Sequence, residues 1–462
     1  MLLRPKHPMP RPIPARRPRP LACVMALSLG LLLGGCANLN HDETPDAKVA
    51  EVTQATWWRD FHDPLLTELI ARAMQANPSI LTSQAALQQA RALRDVKLAA
   101  TRPNLTVSGS VQRNTADGAE ASVNFRGGLD ASWELDVFGA KQSAVANSEA
   151  DLQVARANLR DVQLSMTAEV ALAYIQLRGL QAQLAIAQHN LGSQQETLQI
   201  TQWRAQAGLV TSLEVEQAQT AAAQTAAQLP ALQSSLAKTR HSLAVLTGQR
   251  PHELDTQLMT PLPIPQVATQ VADVIPADSL RQRADVRAAE ARITAALAAV
   301  DAAEAARLPS FRLGGSLGLT ALTLAGFSNG AALATQILGS VSVPVLDGGA
   351  SKAQVRAQQA VLTQTRASYQ NTLLTALKEV EDALIALRND RERLGHLQQA
   401  ASAADNAALL AQNRYSSGLI DFQTVLQTQR TLLNAQDSVA SLQVDLGSDH
   451  VRLIKAMGGG WQ

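Results

Sequence analysis

Few residues of this chain could do chemistry on their own: two cysteines, eight histidines and one short run of acids. His7, His41, His62, His189, His241, His252, His396 and His450 are scattered, with no pair at ligand spacing on one helix face. A metal centre needs several such ligands to converge, so the spacing predicts none. Glu379, Glu381 and Asp382 stand close enough in sequence to suggest paired acids, but on an exposed helix such a run reads as solvated surface. Neither a Gly-rich phosphate loop nor a Gly-x-Ser-x-Gly elbow occurs. With Lys+Arg 40 against Asp+Glu 39, the net charge of +1 supplies no field to hold a polyanion. The expectation is a protein that is not an enzyme, with no cofactor, no metal and no nucleic-acid partner.

The cysteines carry a different chemistry. Arg4, Lys6, Arg11, Arg16, Arg17 and Arg19 precede an apolar run from Leu21 to Leu33, which leads into Leu33-Gly34-Gly35-Cys36. A charged leader, a hydrophobic stretch and a small-residue cleavage site make a secretory signal. The run has about half the length a membrane-spanning helix needs. Leu-Gly-Gly-Cys is similar to the bacterial lipoprotein box, the alternative being an ordinary signal that happens to contain a cysteine. The motif implies that Cys36 becomes the first residue and carries N-acyl and S-diacylglycerol lipid. Cys23 leaves with the leader, so no disulfide can form and stability must come from packing. Removing residues 1–35 takes away six basic and no acidic side chains, which moves the net charge from +1 to −5.

What positions any functional residue is an internal duplication. Residues 77–110 align without gaps to 283–316, so that Ala90, Asp95, Ala99, Ala100, Pro103 and Gly109 recur as Ala296, Asp301, Ala305, Ala306, Pro309 and Gly315. Farther on, Trp203-Arg204 through Gly208-Leu209 matches Asn413-Arg414 through Gly418-Leu419, with about four extra residues between Pro309 and Gly349. The expected divisions are a signal peptide at 1–35, a lipidated segment at 36–60, a first repeat at 61–247, a Pro-rich linker at 248–278, a second repeat at 279–457 and a tail at 458–462.

Each repeat reads as helix, two strands, a very long helix and a second long helix. Alternation after a proline predicts hairpins at about 105–133 and 311–343. Their strands have about 9–11 residues, the length that crosses a bilayer when tilted, although alternation alone also suits a small soluble hairpin on a helical bundle. Long helices are expected at about 141–203, 211–246, 352–415 and 421–457, the second kinked at Pro230. One apolar stripe runs from Leu152 through Leu159, Met166, Val170 and Leu177 to Leu191, and its extra step at Met166 to Val170 relaxes a heptad supercoil. Seams rich in Ala and Gln suit a wall wetted on both sides. Four strands are too few to close a barrel, and an unpaired edge in hydrocarbon costs several kcal/mol per group. If the hairpins enter the membrane, several copies must share one barrel, and three would bring about twelve strands.

Motifs along nearly the whole mature chain carry a resemblance: Trp58 with Phe61-His62-Asp63-Pro64-Leu65, Asn77-Pro78, Trp133-Glu134-Leu135-Asp136-Val137-Phe138-Gly139, Pro344 through Gly349, and Arg414-Tyr415-Ser416-Ser417-Gly418. They resemble the TolC/OprM outer-membrane factors, and the lipoprotein box points to the NodT-type branch. The resemblance implies a mostly helical fold with membrane β-structure, a homotrimer with a twelve-stranded barrel over a twelve-helix periplasmic tunnel. It implies residence in the outer membrane of a Gram-negative bacterium, a periplasmic adaptor and an inner-membrane pump of the resistance-nodulation-division type as partners, and export of small molecules. Protein secretion is the alternative cargo, and a pore-less coiled-coil adaptor lipoprotein the alternative class. Relatives narrow the periplasmic end with acidic rings at positions matching Thr424 and Gln427, neither acidic here, while Arg430 matches a basic residue of relatives. The aperture set is then Thr424, Gln427 and Arg430, with Glu214 and Gln217 from the first repeat. Without a charged ring, weaker cation selectivity is expected, with closure by hydrogen bonds among Gln427, Arg430 and neighbours; as an alternative, Gln427 is plain helix surface. Gly208, Leu209, Gly418, Leu419 and Asp421, in the turns between the long helices, are the expected adaptor-docking surface.

Overall fold

The computed structural model describes residues 56–115, 122–267, 280–329 and 331–459. The leader, Cys36 and part of the expected linker lie outside them. A 3-10 turn at Trp57–Phe61 leads into α1 (Pro64–Ala76), α2 (Pro78–Ala99), β1 (Asn104–Asn114), β2 (Ser122–Leu135), α3 (Ala140–Gln206) and α4 (Ser212–Leu246). A single turn at Asp255–Leu258 follows, then α5 (Ala284–Ala305), β3 (Ser310–Ala321), β4 (Ala332–Ser342), α6 (Ala350–Ser416) and α7 (Phe422–Ala456).

The duplication is visible element by element. α2 and α5 have 22 residues each, α3 and α6 have 67, and α4 and α7 have 35. Because β1 and β3 begin 206 residues apart but β2 and β4 begin 210 apart, the extra residues lie in the β3–β4 connection. At about 1.5 Å per residue, α3 and α6 are each about 100 Å long. α4 stays one helix through Pro230.

Local chemistry fixes the ends. Asp63 and Asn77 cap α1 and α2 by accepting backbone N–H bonds from Leu65 and Leu66, and from Ser79 and Ile80, with Pro64 and Pro78 in the first turn. α3 and α6 start after the left-handed glycines Gly139 (φ 78°) and Gly349 (φ 89°). Each stops at a Schellman turn, in which Leu209 N–H donates to Arg204 O and Leu419 N–H donates to Arg414 O, both at 2.8 Å.

The largest core cluster joins Leu66, Leu69, Ile70 and Ala73 of α1 with Ala171, Ile175 and Leu177 of α3 and Val451, Leu453 and Ile454 of α7. It lies mid-way along α3 and at the C-terminal end of α7, far in sequence from the strands and from the 208 and 418 turns. Gly179 permits the close approach of α3 to α7, since a Cβ there would sit 2.1 Å from Val444 Cγ2. A second cluster at the other end of the long helices holds Ala218, Tyr415, Phe422, Val425 and Leu426.

Candidate functional site

The four strands form one antiparallel sheet in the order β1-β2-β3-β4. Its register decides what the sheet can do. Leu105 pairs with Ala131, Ala131 with Gly315, and Gly315 with Ile337, so every odd-numbered residue falls on one face. That face carries Leu105, Val107, Val111, Phe125, Leu129, Trp133, Leu313, Leu317, Leu333, Ile337 and Val341. The even face carries Thr106, Ser108, Ser110, Gln112, Arg126, Asp130, Glu134, Arg312, Ser316 and Gln336. Its polar groups bond one another: Ser108 Oγ donates to Asp130 Oδ2 at 2.6 Å, and Arg312 lies 3.7 Å from Glu134. Among the described residues no long helix covers either face; only the single helical turn Gly326–Asn329 touches the odd face, with the Phe327 ring over Gly127, and Ile337 is 86% exposed.

An apolar face of that area in contact with water is unfavourable, at roughly 25 cal/mol per Å². The strand lengths indicate where it resides. Eleven residues in β1 and β4 make about 36 Å of strand, which at a tilt near 45° spans about 25 Å, close to the apolar thickness of a membrane barrel. β1 and β4 are both edge strands within the chain, and they run in opposite directions because three antiparallel pairings separate them. The free edge of one copy is thus matched to the opposite edge of the next in direction and length.

At the opposite end, the tips of the long helices are cross-braced. Gly208 (φ 72°) and Gly418 (φ 76°) form the two turns, and Leu209 and Leu419 stand exposed at them. Asp421 caps α7: its Oδ1 accepts from Thr424 N–H at 2.8 Å and from Thr424 Oγ1 at 2.7 Å. These contacts hold its carboxyl below the ordinary carboxylate range. Arg204 stacks on the Tyr415 ring at 4.5 Å, and Tyr415 Oη shares a 3.1 Å bond with Thr201.

Of the expected aperture residues, Thr424, Gln427 and Arg430 are exposed on α7, while Glu214 and Gln217 are half-buried on α4. Gln217 Oε1 accepts from Gln423 Nε2 at 2.8 Å. Gln423 is the partner that repeat alignment does not reveal. Within one chain no bond joins Gln427 to Arg430, so closure through that pair would have to run between copies.

Sequence reasoning also missed the polar residues that fix helix positions. Gln429 Nε2 donates to Thr197 Oγ1 at 2.9 Å, and Asn190 Nδ2 to Gln436 Oε1 at 2.9 Å, so α3 and α7 are held in register by amides as well as apolar contacts. Arg283 donates to Ala456 O at 2.6 Å and pairs with Asp285 and Glu379, each at 2.8 Å. Its repeat counterpart Asn77 donates to Leu246 O at 2.8 Å, and Leu246 is the counterpart of Ala456. One job, holding the carbonyl end of the second long helix, is done by different atoms in the two halves. Glu379 is therefore an ion-pair partner, Asp382 pairs with Lys378 at 2.7 Å, and these acids do not share a site.

His450 lies buried edge-on to Phe61 at 5.9 Å. Burial, aided by the Arg391 charge and opposed by Asp60, pushes its imidazole down to about 4. A base whose folded value is depressed binds its proton more readily when unfolded, so its contribution is whole above pH 6.5 and is lost as the pH falls toward 4. At most about 3 kcal/mol per chain is at stake. The stability advantage of the wild type over His450→Gln, measured by denaturant midpoint, is expected to shrink across that window; a pH-independent difference would reject the assignment.

Helix-face spacing, on which the expected absence of a metal centre rests, does not cover one group of side chains that meets through a turn. His241 of α4, His252 of the following turn and Asp255 bring ring nitrogens and a carboxylate oxygen within 4.8 Å of one another. The helix-face criterion missed them because the turn at Gly248 (φ 73°), rather than a helical repeat, folds the second histidine back on the first.

Comparison with known proteins follows the same outline. The chain is 32% identical to the pyoverdine export outer membrane protein OpmQ of Pseudomonas putida, over 95% of this chain and 97% of that one. It is 30% identical to nodulation protein T of Rhizobium leguminosarum bv. viciae, over 94% and 93%. The solved outer-membrane channel OprN superposes with a TM-score of 0.83 at 35% identity, covering 88% of this chain and 93% of that one. The family model described as outer membrane efflux protein matches residues 69–249 and 275–459, one match per repeat. Two tandem TolC-like repeats, one shared four-stranded sheet and paired 67-residue helices place the chain in the outer membrane efflux protein family.

Proposed function

We propose that three copies of this chain close a twelve-stranded barrel in the outer membrane, and that their long helices continue it as a hollow periplasmic conduit. The observation that carries this reading is the sheet: one apolar face, one polar face, and two open antiparallel edges of equal length. Joining those edges satisfies every strand, puts the odd face in lipid and the even face in water. The conduit is the exit duct of a tripartite efflux system, passive itself, with a periplasmic adaptor and an inner-membrane pump of the resistance-nodulation-division type supplying cargo and energy. OpmQ's likeness favours small molecules as cargo. Lipid on Cys36 would anchor each copy beside the barrel. Heat-modifiable, SDS-resistant trimers in the outer-membrane fraction test the assembly; chains recovered as soluble monomers would overturn it.

The turns at Gly208 and Gly418 present exposed Leu209 and Leu419 at the far end from the sheet, where a helical hairpin of the adaptor can dock. Gly418→Asp combined with Leu419→Asp is expected to abolish efflux, measured as drug sensitivity of the cell, while trimers persist. Loss of the trimers would show these turns to be structural.

Gln427 is exposed more than one turn from the capped end of α7, and in the proposed conduit its amide would face the lumen. An uncharged ring lacks the field that concentrates cations. Single-channel recording on Gln427→Asp is expected to show a stronger cation preference than wild type, and an unchanged preference would remove Gln427 from the aperture.

A further inference from the structure

The cluster of His241, His252 and Asp255 has no role in the conduit proposed above. Its three groups come from separate places: the last turns of α4, the turn that follows, and the single helical turn at Asp255–Leu258. His241 Nε2 stands 3.2 Å from His252 Nδ1, and His252 Nδ1 stands 3.0 Å from Asp255 Oδ2. Hydrogen bonds alone satisfy this arrangement poorly. His252 Nδ1 carries at most one hydrogen, so if it donates to Asp255 it cannot also accept from His241, and if it accepts from His241 its lone pair faces a carboxylate. Each of the three groups can offer one lone pair to a cation, and the three atoms lie within 4.8 Å of one another.

The spacing suits a particular class of ion. Zinc bound tetrahedrally at about 2.0–2.1 Å to nitrogen and oxygen has ligand atoms roughly 3.3 Å apart. Two of the separations, 3.2 and 3.0 Å, are near that edge, and the third is within 4.8 Å. Two imidazoles and one carboxylate are the donor set of a borderline divalent ion such as Zn(II), and not of Ca(II) or Mg(II), which take oxygen. The other carboxylate oxygen, Asp255 Oδ1, lies 3.5 Å from Arg240 Nη1, which orients it and leaves Oδ2 turned to the histidines. His252 is 70% exposed, so the fourth position opens to water and the ion exchanges with solvent. His252 also holds a backbone φ of 80°, a conformation that few residues other than glycine adopt.

We propose that His241, His252 and Asp255 form a site for one divalent zinc-class ion per chain, clipping the turn after α4 onto that helix. The consequence is mechanical. Through Gln257, which bonds both Arg72 at 3.1 Å and Glu68 at 3.0 Å, the same short turn is joined to α1. An ion at the cluster therefore braces α1 against the C-terminal end of α4, at the level where the Gly248 turn meets the α1 terminus.

The test uses the purified full-length protein, stripped with a chelator and titrated with Zn(II) alone against a chromophoric competitor, with Co(II) as a second probe whose visible absorption reports tetrahedral coordination. One ion per chain is expected in the wild type. His252→Asn keeps a residue that tolerates positive φ and His241→Gln keeps an amide on α4; each is expected to weaken binding by about tenfold or more. The thermal midpoint of the wild type should rise with Zn(II), and those of the two variants should not. Absence of a saturable ion, or unchanged affinity in both variants with their circular dichroism intact, would overturn the site.

Discussion

Ile337→Arg is expected to eliminate the SDS-resistant trimer, whereas Gln336→Arg, one residue earlier, leaves it intact. Ile337 is the central residue of β4 and projects from the odd face beside Gly315, with nothing of its own chain over it. If that face meets lipid, an arginine there costs about 2–4 kcal/mol at the membrane midplane. Each barrel carries the substitution once per copy, so the penalty accumulates over three chains before any strand edge is closed. Gln336 pairs with Ser316 on the even face, among Arg126, Asp130 and Glu134, and a further cation there stays in water. The measurement is semi-native electrophoresis of outer-membrane fractions, unheated and heated. Equal loss of trimer from both variants would mean that β4 tolerates no arginine for steric reasons. Equal retention would mean that the odd face does not meet lipid.

The paired design is possible because the faces are legible in sequence. Alternation after Pro103 and Pro309 marks the strands, and the gap-free alignment of the repeats places the helices, because periodicity and proline positions are local properties. The spans follow: the helix expected at about 141–203 covers Ala140–Gln206, and that expected at about 352–415 covers Ala350–Ser416. Within the hairpin expected at about 311–343 the return strand spans Ala332–Ser342, and its first residues, Ala332 and Ala334, give alternation little contrast.

What was not legible depends on meetings between residues distant in the chain. His241 and His252 look unrelated on a helical projection and meet because Gly248 turns the chain back. Asn77 and Arg283 align as an unremarkable mismatch, yet both reach the last carbonyl of the second long helix of their own repeat. The alignment shows where a task lies without showing which atoms perform it. At the tip, Gln217 is the repeat counterpart of Gln427, but its bond is to Gln423, one helical turn earlier on α7. Nothing in the pattern of amides along that helix distinguishes the two.

The same limitation hid Arg178, whose removal is the second large effect. It sits on a stripe of apolar neighbours in α3 and is 0% exposed. Its guanidinium donates to Gln181 Oε1 at 2.7 Å, to Thr260 O at 2.8 Å and to Tyr174 Oη at 2.9 Å. Tyr174 in turn donates its phenol hydrogen to Asp63 Oδ2 at 2.6 Å, and burial with that carboxylate keeps the phenol protonated. Asp63 is at the same time the cap of α1. A single cation thereby joins α3, the segment after Leu258 and the start of α1, with its charge passed to a carboxylate through one hydroxyl.

Arg178→Ala leaves the buried Gln181 Oε1 without its donor, frees Thr260 O, and opens a cavity beside the largest core cluster. An uncompensated break in a buried charged network costs about 3–5 kcal/mol. Asp63→Asn separates charge from capping, because asparagine caps as well as aspartate but leaves the arginine without its counter-charge. Denaturant midpoints of the detergent-solubilised protein are expected to fall most for Arg178→Ala, substantially for Asp63→Asn and least for Tyr174→Phe, which removes one hydroxyl and no charge. If Asp63→Asn costs no more than Tyr174→Phe, the charge of Asp63 contributes nothing beyond its hydrogen bond, and Arg178 is held by neutral partners alone.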